Sequence, residues 1–115
     1  MLDLQENLIR DSSLYIDLIS HYAIDKLKET ISAYEGSPVL PSLYVNLGIN
    51  YLKLGGENGG EAVTAFLEAI NRDPQNAYPY YRIGKVYQSQ NNVESFDEYF
   101  KKSLAVDPKF PSTYF

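Results

Sequence analysis

From Tyr44 to Leu104 apolar side chains return every three or four residues, the period of a helix with one buried face. In 44-YVNLGINY-51 the positions Tyr44, Leu47, Gly48 and Tyr51 line one such face. The same spacing recurs in 80-YYRIGKVY-87 at Tyr80, Ile83, Gly84 and Tyr87. A second stripe runs through Ala62, Phe66, Ala69 and Ile70, and its counterpart through Phe96, Phe100, Ser103 and Leu104. The pattern predicts four helices in two hairpins. Asn76 and Asn92 stand at helix N-cap positions, and Pro79 falls in a first turn, where its missing N–H costs little. Pro74 and Pro108 end the second helix of each hairpin, because the residue before a proline is pushed out of the α region.

The hairpins are copies of one unit. The two first helices align at an offset of 36, whereas 65-AFLEAINRDP-74 aligns with 99-YFKKSLAVDP-108 at an offset of 34. The two surplus residues therefore lie between Tyr51 and Phe66, where 55-GGENGG-60 holds four of the chain's seven glycines. This run is expected to be a structural turn. A phosphate loop needs a lysine and a hydroxyl residue after its last glycine, and Glu61 and Ala62 stand there instead. Shortening the turn by two residues should cost little.

Residues 3–35 are also helical in pattern, with no glycine or proline until Gly36. Leu14, Leu18, Tyr22, Leu27, Ile31 and Tyr34 mark its expected apolar face, with Ile16, Ile19, Ala23 and Ile24 beside them. The segment reads as two helices, roughly 3–19 and 22–35, with one bent long helix as the alternative.

The repeated residues resemble the tetratricopeptide repeat, whose motif is W-x2-L-G-x2-Y, then A-x3-F, then P. The first unit supplies Tyr44, Leu47, Gly48, Tyr51, Ala62, Phe66, Ala69 and Pro74. The second supplies Tyr80, Ile83, Gly84, Tyr87, Phe100 and Pro108, with Phe96 and Ser103 at its small-residue positions. The resemblance covers about residues 41–115. It implies an all-α fold, a right-handed stack of antiparallel helical hairpins. The expected domain is single: a degenerate N-terminal helical pair over 1–40, repeats over 41–76 and 77–110, and the start of a third, truncated repeat over 111–115. Pro111 and Tyr114 fall 34 residues after Ala77 and Tyr80. Without a further unit, Phe100, Leu104 and Phe110 would lack a full cover.

Composition narrows the chemistry. The chain of 115 residues has a net charge of −5, which disfavours non-specific binding to nucleic acid or an anionic membrane. Residues 1–40 carry 3 basic and 7 acidic side chains, a balance of −4. Residues 77–115 carry 5 and 4, a balance of +1. The chain has no cysteine, so disulfide and thiolate chemistry are excluded, in keeping with a cytoplasmic setting. No signal peptide or membrane-length apolar run is present in the sequence. His21 is the sole histidine and cannot build a usual zinc or copper site, so it reads as a partly packed residue near a helix–helix turn. No catalytic set or cofactor loop emerges, so an enzyme is the least supported class and no cofactor or metal is expected.

In the resembled family the first helices line a concave groove. The resemblance places Ser42, Val45, Asn46, Ile49 and Lys53 on the groove side of the first unit. It places Tyr78, Tyr81, Arg82, Lys85 and Ser89 on that of the second. Lys53, Arg82 and Lys85 would then gather on one face of an acidic protein, with tyrosines beside them. The expected function is a non-catalytic protein-interaction module that takes a peptide or partner helix, with acidic groups held by charge-assisted hydrogen bonds. Asn46 and Arg82 match positions of a carboxylate clamp that some relatives use, but Tyr78 replaces its lysine, and Asp11 and Tyr15 replace its N-terminal pair. Two alternatives are a homo-oligomer joined through uncapped repeat ends and a scaffold segment of a larger protein.

Overall fold

The computed structural model describes the backbone of residues 4–110 and, from residue 15, their side chains. Pro111 and Tyr114, and with them the expected third unit, lie outside the described residues. Five α-helices follow one another: α1 (Leu4–Ala33), α2 (Leu40–Lys53), α3 (Gly59–Arg72), α4 (Ala77–Ser89) and α5 (Val93–Val106). Among the described residues there is no strand. The helix pairs α2–α3 and α4–α5 are the two predicted hairpins.

The predicted boundaries have local causes. The Asn76 side chain accepts a hydrogen bond from the Tyr78 amide at 3.1 Å, and that of Asn92 accepts from the Ser95 amide at 3.3 Å. Both satisfy N–H groups that the first turn leaves without a helical partner. Asp73 and Asp107 follow the last turns of α3 and α5 in non-helical backbone (φ −146° and −140°), as the prolines after them require. The Tyr80 hydroxyl then reaches back to the Pro74 carbonyl at 3.2 Å and fixes the entry of α4.

Packing follows the repeat. Ala62, Phe66 and Ile83 form a fully buried cluster, flanked by Val45, Ile49, Ile70 and Tyr87. Ile83 from α4 thus enters the first hairpin and couples the two units. Each hairpin crosses at its glycine. A Cβ on Gly48 would lie 2.6 Å from the Phe66 ring, and one on Gly84 would lie 3.0 Å from the Phe100 ring. Phe96, at a small-residue position, stands edge-on to Phe100 with centroids 4.5 Å apart. The hairpin accommodates it because Phe96 stays only half-buried.

The glycine run is a turn, with a short 3₁₀ segment at Gly56–Asn58. Gly55 has φ +128°, a region that side chains other than glycine rarely enter. Gly59 begins α3 against α4, where an added Cβ would meet Gln90 at 3.1 Å and Val86 at 3.3 Å.

The N-terminal segment departs from expectation. In place of two helices meeting near residue 20, α1 runs unbroken from Leu4 to Ala33. Nothing in its sequence interrupts the hydrogen-bond ladder, since neither proline nor glycine occurs before Gly36. His21 is accordingly an exposed mid-helix residue, away from any turn. The buried face also differs. Ser20 and Ile24 are buried, and Leu27 and Ile31 pack beside Ile24 against Leu47, Tyr44 and Tyr51. Leu18, Tyr22 and Tyr34, expected on the apolar face, are exposed. The C-terminal half of α1 thus covers the first hairpin, as α3 covers the second.

Candidate functional site

The candidate face is built from one side of α2 and one side of α4. On α2, Asn46, Ile49 and Lys53 recur at helical spacing. Asn46 and Lys53 are exposed. Ile49 is half-buried and packs against the Ala62–Phe66–Ile83 cluster, so it joins the face to the core. On α4, Tyr78, Arg82 and Lys85 fall one turn apart, with Tyr81 beside Arg82.

The two tyrosines face a different neighbour from the one the groove geometry suggests. Tyr81 stacks on Phe100 with centroids 5.3 Å apart and meets the edge of Phe110 at 5.1 Å. Tyr78 meets Phe110 edge-on at 6.5 Å. Both rings therefore lean toward α5 and the residues that follow it. Arg82 lies with its guanidinium carbon 5.9 Å from the Tyr78 ring centroid, within cation–π range. Its Nε is buried and has no hydrogen-bond partner within the protein.

Four other cations pair with carboxylates of their own helices, and Lys28 lies over the Tyr51 ring, 5.7 Å from its centroid. Lys26 pairs with Glu29, Arg72 with Glu68, Lys101 with Asp97 and Lys102 with Glu98. Asp97 and Glu98 accept hydrogen bonds from Lys101 and Lys102 and hold both ammonium groups above the ordinary lysine pKa. Lys53, Arg82 and Lys85 make no carboxylate pair among the described residues.

Beside this face, at the end of the stack, Tyr81, Phe100, Ser103, Leu104 and Phe110 line an apolar cavity of about 210 Å³. Among the described residues no group of three histidine, cysteine or carboxylate side chains could hold a metal ion. No helix among them is long and apolar enough to cross a membrane.

A TPR repeat family model matches residues 60–91, and a tetratricopeptide repeat model matches residues 77–110. No curated protein matches the chain. Residues 60–110 are therefore tetratricopeptide repeat, a helical-hairpin fold whose general role is non-catalytic protein–protein interaction.

The stripe of exposed apolar residues on α1, at Tyr15, Leu18, Ile19 and Tyr22, was not legible as a separate surface in the sequence. Its signal was the phase of the helix. Residues 20, 24, 27 and 31 share one face, so residues 15, 18, 19 and 22 must look elsewhere. The polar Ser20 at the head of the buried face conceals that phase.

Proposed function

We propose that the protein is a non-catalytic interaction module that takes a peptide or partner helix bearing acidic groups along the concave face of α2 and α4. The observation that carries this reading is that Lys53, Arg82 and Lys85, all on α2 and α4, make no ion pair among the described residues, whereas Lys26, Arg72, Lys101 and Lys102 are paired within their own helices. In this reading Arg82 offers its planar fork to a carboxylate, and the Tyr78 ring beneath it limits its rotamers. Lys85 and Lys53 add charge at either side, and the Asn46 amide supplies a neutral donor. Ile49 and Tyr81 give apolar contact. The domain is single, with the α1 segment over 1–40 as its first layer and the repeats over 41–76 and 77–110 as the next two.

The test begins with capture of partners on the whole chain as bait. The affinity of a captured protein is then measured for the wild type and for Arg82→Glu with Lys85→Glu. The double charge reversal should weaken binding at least about tenfold, because like charges would now face each other. The helical circular dichroism should remain. Unchanged affinity with intact helicity would overturn the reading.

The apolar cavity at Phe100 and Leu104 favours a second reading, association of copies through the ends of the stack.

A further inference from the structure

Two sides of α1 carry apolar residues, and the fold uses one of them. Ile24, Leu27 and Ile31 pack on the first hairpin, with Ser20 buried on the same side. At 3.6 residues per turn, Tyr15, Leu18, Ile19 and Tyr22 fall about 160° away, on nearly the opposite side. Tyr15 and Tyr22 are each 66% exposed, Leu18 is 67% and Ile19 is 53% exposed. Contiguous apolar exposure of this kind marks an interaction surface.

The stripe sits at the middle of its helix. Eleven helical residues, 4–14, come before Tyr15, and eleven, 23–33, come after Tyr22. The centre of the stripe and the centre of α1 therefore coincide, between Leu18 and Ile19. A stripe placed this way is its own complement. Turned end for end about that point, a second α1 sets Tyr15 against Tyr22 and Leu18 against Ile19, and it overlaps the first helix from end to end. The same turn sets position 26 against position 11, a lysine against an aspartate. A parallel pairing would set each of these against its own kind. Asp17 falls on the far side and Asp25 at the flank, so the contact buries neither carboxylate. The exposed area of the four side chains is on the order of 500 Å², well over half of the roughly 800 Å² per partner of a standard interface. Lys26 and Glu29, both exposed, continue the same side.

We propose that the protein forms a closed twofold dimer by antiparallel packing of α1 on α1. The occupant of the stripe is a second copy of this chain. The first hairpin of each copy lies behind its own α1, which leaves the contact clear. Like surfaces meet and both stripes are used, so association stops at two. The contact involves neither α4 nor α5. It therefore stands apart from the groove reading and from the cavity at Phe100.

Sedimentation velocity on the 115-residue chain over a wide concentration range tests this. The wild type should pass from monomer to dimer and grow no further. Leu18→Glu would bury a carboxylate in each half of the contact and should raise the midpoint concentration at least about tenfold. Leu18 is exposed, so circular dichroism should show the helices intact. Leu104→Glu, at the other end of the stack, should dimerise like the wild type. Orientation is read by disulfide formation, since the chain has no cysteine of its own. Under mild oxidation an equal mixture of Tyr15→Cys and Tyr22→Cys should cross-link the two variants to each other, and neither should link to itself. A wild type that stays monomeric, or that grows beyond a dimer, overturns the proposal. So does a dimer that Leu18→Glu leaves untouched or that Leu104→Glu abolishes. Absence of the mixed product, or self-linking of either variant alone, overturns the antiparallel arrangement.

Discussion

Gly48 and Gly60 show how differently one residue type is used within twelve positions of this chain. Gly48 is buried, and a methyl group there would drive into the Phe66 ring, itself fully enclosed. Phe66 cannot retreat without opening the cluster it anchors. Gly48→Ala should therefore lose about 1–3 kcal/mol of stability, read as a lowered melting temperature. Gly60 lies in the first turn of α3 with open space around it. Gly60→Ala should be neutral or gain up to about 1 kcal/mol, because it restricts the unfolded chain without meeting any neighbour. If the two substitutions had equal effects, hairpin packing would not be what selects glycine at position 48. Gly84 belongs between them, since Phe100 is only half-buried and has room to shift.

At the scale of elements, the motif stripes of α2 to α5 were legible because periodicity, caps and prolines all act within a few residues. Asn76, Asn92, Pro74 and Pro108 mark their helix ends by local hydrogen bonding and sterics alone. The course of α1 was less legible. Which of its apolar sides is buried depends on where Leu47 and Tyr51 stand, and no local pattern encodes that. The candidate face was legible as a set of positions, but the lean of Tyr78 and Tyr81 toward Phe110 was not. Phe110 follows the last repeat proline and has no counterpart in the motif. The turn between α2 and α3 yields its own expectation. Removing Gly56 and Glu57 while keeping Gly55 and Gly59 should change the melting temperature by only a few degrees, because loop closure depends weakly on length. A large loss would assign the 3₁₀ segment a packing role.

Across the whole molecule, layers are covered unequally. Among the described residues the first hairpin lies between α1 and α4, whereas α5 packs on α4 and reaches the Ala62–Phe66–Ile83 cluster through Tyr99. Stability in such stacks is a sum of unit and neighbour contributions, so the less covered hairpin should open first. Amide hydrogen exchange on dilute protein should therefore be slowest in α3, around Ala65 to Ala69, and faster in α5. Equal protection in both helices when dilute would mean that the stack opens as one unit.

Among the described residues the substantial helix contacts join elements adjacent in the chain, from α1 on α2 through to α4 on α5. That arrangement has a consequence in time. No helix must wait for a distant segment before it finds its partner, and closing short loops is fast. The α2–α3 hairpin has its glycine crossing and Phe66 in place before α4 is needed. During synthesis it could form while the second repeat is still emerging, with Ile83 arriving last to lock the two together.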